Sequence, residues 1–216
     1  MFTGQALMHL PYIIAAFIPA LTFHEWGHAV MATRFGDPTP KHAGRLTLNP
    51  FAHLDPLGTI LVFIIHFGWG KPVPINPNNF RSSWAEFWVA SAGPLMNFVL
   101  ATVAAVLIRL GAHEWLGQTY SQVLLLLLWY SLIINLTLGF FNLLPIGPLD
   151  GHTVLARLLP RNLSQKFSDW NLAYGGTVLF GLFILDWVTR IGILSRMIHL
   201  PTQIAASLLL GERIPS

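Results

Sequence analysis

Long blocks of apolar residues without a formal charge dominate the chain. Phe2–Phe23 is one such block, Phe87–Ile108 a second, and Trp115–Leu149 the longest. A helix that crosses a bilayer needs about 20 apolar residues. The pattern therefore predicts helices over about 6–35, about 84–110 and across 115–149. Two shorter apolar runs, Trp170–Leu185 and Met197–Gly211, predict further, less complete spans.

The segment between the first two blocks has another texture. Residues 36–58 and 68–81 are rich in Gly and Pro, and between them lies TILVFIIHF (59–67), too short to cross at the helical rise. Arg45–Leu48 and Pro72–Ile75 suggest short strands. Irregular backbone at membrane depth is tolerated where it is buried in protein or lines a wet cavity. Residues 40–80 thus read as a hairpin-bearing, partly re-entrant loop, with a full crossing at 56–69 as the alternative.

Composition strengthens this picture. Only 10% of the 216 residues are charged, against about 25% in a soluble domain, and the mean hydropathy is +0.59. The chain reads as an integral membrane protein whose first block is a retained span, because no cleavable signal pattern precedes it. Cysteine is absent, which excludes disulfides, thiolate nucleophiles and Cys-bound metal. The basic residues are scattered, and no nucleic-acid partner is implied.

Against that apolar background, FHEWGHAV (23–30) stands out. Residues four apart share a helix face, so His24 and His28 project together and can hold one metal ion; imidazole suits zinc. Glu25 sits about 100° around the helix. From there it reaches a metal-bound water without occupying the metal, which is the physical content of H-E-x-x-H as a hydrolase signature. Ionisable groups inside a membrane are costly and mark function.

A catalytic zinc usually has three protein ligands. His9 lies too far up the same helix, and His42, His53, His66, His113 and His199 fall in loops or at segment ends. Asp150, in FNLLPIGPLDGH (141–152), is the first formal charge after Glu114. Pro145 and Pro148 break the helix there, so an aspartate can reach a neighbouring helix. His152 is the alternative ligand.

Charge distribution tests the pairing. Positive residues favour the cytoplasmic side. Arg34, Lys41, Arg45, Lys71 and Arg81 lie between the first two long spans, and Arg157, Arg161 and Lys166 follow the third. With both groups inside, His24, Glu25, His28 and Asp150 share one bilayer depth near the cytoplasm. Arg109, Arg190 and Arg196 alone then fall outside. A full crossing at 56–69 would put Asp150 on the opposite face.

These residues resemble the site-2 protease family of intramembrane zinc metalloproteases. The resemblance rests on His24-Glu25-x-x-His28, Asn142-x-x-Pro145-x-x-x-x-Asp150-Gly151 and Gly93-x-x-x-Asn97, and spans about residues 15–155. The loops GRLTLNPFAHLDPLG and GWGKPVPINP also resemble its compact prokaryotic members. The resemblance implies a three-helix catalytic core and one Zn2+ held by His24, His28 and Asp150, with Glu25 as acid/base. It implies that Asn142 positions substrate or stabilises the oxyanion, and that Asn97 and Gly93 belong to the substrate path. No PDZ or CBS domain is expected.

The fold expected is an all-α polytopic membrane protein: a three-helix core, peripheral transmembrane helices and a short re-entrant β-hairpin loop. Residues 1–216 are read as one membrane-embedded metalloprotease domain, core about 6–155 and peripheral helices about 170–211. The expected function is hydrolysis of peptide bonds in or near transmembrane segments of membrane-protein substrates. The expected setting is a prokaryotic inner membrane, with the site toward the cytoplasm. A transmembrane divalent-metal transporter is the alternative, and a silent scaffold a third reading. A transporter needs a polar track across the bilayer, whereas the second long span is nearly free of ionisable groups.

Overall fold

The computed structural model describes residues 4–58, 61 and 70–211. Helix α1 runs Gly4–Arg34, about 46 Å at 1.5 Å per residue. It is followed by α2 (Thr39–His42), α3 (Ala85–Arg109) and α4 (Gln118–Asn142). Next come α5 (Asp150–Leu158) and α6 (Arg161–Trp170). A π-helical turn, Asn171–Gly175, joins α6 to α7 (Gly176–Thr189). The last helix is α8 (Ile193–Leu210). Among the described residues, Ala85–Arg109, Tyr120–Asn142, Arg161–Thr189 and Ile193–Leu210 are long and apolar enough to cross a membrane.

The helices expected at 6–35 and 84–110 are present. The long third block divides: α4 stops at Asn142, a turn covers 143–149, and Asp150 opens α5. Pro145 and Pro148 account for the stop, since neither donates a helical hydrogen bond. The run from Trp170 is longer than its apolar residues suggest, because α6 extends it toward Arg161.

The β-hairpin is not found among the described residues. Arg45–Leu48 and Pro72–Ile75 form no strands; an isolated antiparallel bridge joins Leu54 and Gly70 instead. The physical reason lies in Arg45, which is 5% exposed. Its guanidinium donates to the carbonyls of Ala52, Lys71 (3.0 Å) and Pro72 (3.2 Å). A buried side chain thus takes the Pro72 carbonyl, at the start of one expected strand, and the Lys71 carbonyl just before it. Of 56–69, only 56–58 and 61 are described, so the choice between re-entrant loop and full crossing lies outside the described residues.

Packing relies on small side chains, as expected where lipid removes the hydrophobic drive for helix association. Ala16, Ala20, Ala29 and Ala32 of α1 and Ala85, Ala90 and Ala92 of α3 are buried. A Cβ on Gly27 would lie 2.9 Å from the Ala92 carbonyl oxygen and 2.8 Å from Met96 Cγ. One core cluster joins α3, α4 and α8 through Ala101, Ala104, Ala105, Leu132, Leu136 and Ala206. A second, of Leu144, Leu149, Leu179 and Leu194, seats the 143–149 turn against α7 and α8.

Candidate metal centre

The structure brings His24, His28 and Asp150 together. The two histidine Nε2 atoms are 3.1 Å apart. Asp150 Oδ2 lies 3.2 Å from His24 Nε2 and 3.3 Å from His28 Nε2. Zinc–ligand bonds of about 2.0 Å imply ligand–ligand edges of about 3.3 Å in a tetrahedron. The triangle therefore has the dimensions of one face of a zinc site.

Hydrogen bonds behind the rings decide what the front atoms are. His28 Nδ1 donates to the Val89 carbonyl at 2.7 Å; a carbonyl can only accept, so in the neutral ring Nε2 keeps its lone pair. His24 Nδ1 faces Asn97 Oδ1 at 2.7 Å. The Asn97 amide is oriented by its other end: Nδ2 donates to the Ala20 carbonyl at 3.0 Å and to Asn135 Oδ1 at 3.0 Å. His24 Nδ1 is consequently the donor, and in the neutral ring its Nε2 is an acceptor. Asp150 Oδ2 is buried without a hydrogen-bond partner. With both rings neutral, three acceptors at 3.1–3.3 Å repel one another unless a cation sits among them, and this donor set fits zinc.

A cavity of about 570 Å³ opens in front of the triangle. Glu25, Asn142, Thr153 and the extended stretch at Pro72, Val73 and Ile75 line it. Asn142 spends one amide hydrogen on the Leu138 carbonyl (2.9 Å), leaving its second for the cavity. Gly93 and Asn97, expected along the substrate path, lie against the two imidazoles. Asn97 is fully buried behind His24. Gly93 presses against both imidazoles: an added Cβ would lie 2.7 Å from His24 Nε2 and collide with His28 Nε2. His152 is turned aside, its Nδ1 donating to the Leu149 carbonyl at 2.6 Å.

Local sequence explains the presentation of Asp150. Gly151 packs so closely on the carbonyls of Leu143 and Leu144 that no side chain fits. Pro148 and the Leu149 N–H bond to Ile146 O, 3.0 Å, bend the chain into α5. Sequence reasoning missed Asn135, 1% exposed in α4, although an amide in the middle of so apolar a helix signals a buried partner. It also missed Asp37, fully buried after α1. Asp37 accepts from Asn76 N (2.7 Å) and Asn79 Nδ2 (2.8 Å), tying the 70–80 segment to α1. Glu86 at the start of α3 pairs with Arg157 of α5.

The family model described as Peptidase family M50 matches residues 12–115 and 109–182. The chain belongs to peptidase family M50. It is 40% identical over 195 residues to "Putative zinc metalloprotease YwhC" of Bacillus subtilis, covering 85% of this chain and 84% of that protein. It is 34% identical over 163 residues to the similarly named Rip2 of Mycobacterium tuberculosis, covering 70% of this chain and 61% of that one. Stage IV sporulation protein FB of Bacillus subtilis is 27% identical over 94% of this chain and 56% of its own length. No solved structure matches significantly. As an M50 member the chain is an integral-membrane zinc metalloprotease of the site-2 protease type, cleaving within the membrane. The transporter reading has no support.

Proposed function

We propose that His24, His28 and Asp150 hold the zinc ion and that Glu25 is the catalytic acid/base. The observation that carries this reading is the triangle of His24 Nε2, His28 Nε2 and Asp150 Oδ2 at 3.1–3.3 Å. A zinc ion bound there supplies Lewis acidity toward a carbonyl oxygen and lowers the pKa of water. Glu25 takes the proton of the attacking water and returns it to the leaving amine nitrogen as the C–N bond breaks. Asn142 offers its remaining amide hydrogen to the carbonyl oxygen.

Asn97 and Gly93 act behind the ligands rather than on substrate. Asn97 fixes the His24 tautomer, and Gly93 provides the space the imidazoles occupy. The extended stretch at 72–75 offers backbone groups to an unwound transmembrane substrate by strand addition. The chain works as one membrane-embedded domain, with a core of α1, α3 and α4. The excess of Lys and Arg in 34–81 and 157–166 supports a cytoplasmic-facing site in a prokaryotic inner membrane.

Metal analysis with cleavage of a transmembrane test substrate, for the intact chain beside Asp150→Ala, tests this reading. The intact chain should carry one zinc and cleave; Asp150→Ala should bind zinc far more weakly and cleave no substrate. Full zinc and activity in Asp150→Ala would remove the third ligand and the reading with it.

A further inference from the structure

We propose that Asn171, on the π-helical turn between α6 and α7, is a positioning residue for Asp150. The proposal rests on the zinc-site reading above and extends the site to a helix outside the three-helix core.

Asn171 is 3% exposed. Its Oδ1 accepts the Gly147 N–H at 2.6 Å. Its Nδ2 donates to the Phe167 carbonyl one turn back at 3.1 Å, which fixes the amide so that oxygen faces Gly147. Backbones meet at this point. A Cβ on Gly175 would lie 2.7 Å from the Gly147 oxygen and 3.0 Å from its Cα; one on Gly147 would lie 3.2 Å from the Asn171 oxygen.

Asp150 hangs three residues beyond Gly147. On its far side Gly151 abuts the end of α4. The turn is thus clamped at both ends, by α4 after Asp150 and by the π-turn before it. Leu149, adjacent to the carboxylate, is seated on Leu179 and Leu194. A buried amide in a membrane helix is costly unless paired, and this one pairs with the turn that carries the third ligand. The π-turn holds one residue more than a regular α-turn would, a distortion frequent at functional sites. Straightening it would rotate α7 relative to α6 by about 100° per residue removed and separate Asn171 and Gly175 as a pair from Gly147.

A merely structural asparagine would leave the metal unaffected in a folded protein. The test uses the full chain in detergent, with three readouts: zinc affinity against a chromophoric chelator, the visible spectrum after cobalt substitution, and the unfolding temperature. Asn171→Leu should weaken zinc binding about 10–100-fold and shift the cobalt bands. In an Asp150→Ala background Asn171→Leu should change zinc affinity no further, because the group it positions is gone. A folded Asn171→Leu protein with native zinc affinity and cobalt spectrum would overturn the proposal. So would an equal loss in the Asp150→Ala background. Should Asn171→Leu not fold, Asn171→Ser, whose hydroxyl bonds its own helix and stops short of Gly147, replaces it with the same expected loss. Native zinc affinity in Asp150→Ala itself would instead bring down the zinc-site reading.

Discussion

Gly93 on α3 and His28 on α1 are in such contact that any Cβ on the glycine would collide with the imidazole Nε2. The small residue is what lets α3 back onto the metal ligands. Gly93→Ala should therefore displace one or both rings and lower zinc content well below one per chain. Zinc retained at full stoichiometry in a folded Gly93→Ala protein would contradict this. A variant one turn away, Met96→Leu, controls for helix packing.

Glu25 lines the cavity without belonging to the ligand triangle. Glu25→Gln should keep zinc and lose about 10²–10⁴-fold in turnover, the range for a lost acid/base. Cleavage of a transmembrane substrate, measured beside metal content, checks both halves. Loss of zinc in this variant would make Glu25 a ligand.

Asn97 and Asn135 form a relay to His24 Nδ1, with links of 2.7 and 3.0 Å. Asn97→Leu removes the acceptor that sets the tautomer and should cost about 10–100-fold in zinc affinity. Asn135→Leu removes one of two acceptors holding the Asn97 amide and should cost less. Equal affinities in the two variants would show that the relay does not set the ring.

Metal removal should loosen the site. The three acceptor atoms lose the charge that reconciles them, and a ligand bound only by the folded state stabilises it by about 2.7 kcal/mol at a hundred times its Kd. A chelator should lower the unfolding temperature of the intact chain, and zinc should restore it. Asp150→Ala should respond far less to either.

Asp37 supplies a pH dependence outside the spanning helices. Burial pushes its carboxyl up, but hydrogen bonds from Asn79, Thr39 and Asn76 outweigh that and hold it below the ordinary carboxylate value. A depressed carboxyl stabilises at pH above its unfolded value, about 3.9, and that stability is lost as pH falls through the folded value. Proteolysis of the loop after α1 should thus stay constant from pH 7 to about 4 and rise below. Asp37→Ala should be cut faster throughout.

How much of this was legible depends on the range of the interaction. His24, Glu25 and His28 follow from helical periodicity within one element, and Asp150 from a lone charge beside two helix-breaking prolines. The 45–48 and 72–75 stretches look extended and are not helical. What sequence cannot display is that the Arg45 guanidinium takes the Lys71 and Pro72 carbonyls. Asn97, Asn135 and Asn171 matter through partners 73, 38 and 24 residues away in the chain. Pattern along a single segment carries no trace of such distant pairing. Gly93 obeys the same rule: its importance is the shape of another helix.

The fit of Gly27 into the Ala92 backbone leaves α1 and α3 zipped along a seam with no slack for a methyl group. Parting that seam would pull the imidazoles off their supports. The opposite flank is fastened differently: Glu86, at the cavity rim, is tied to Arg157 by a partly solvated ion pair, a bond worth about 0–1 kcal/mol. The cavity thus lies between a seam of backbone contact that tolerates no separation and a solvated ion pair that costs little to break.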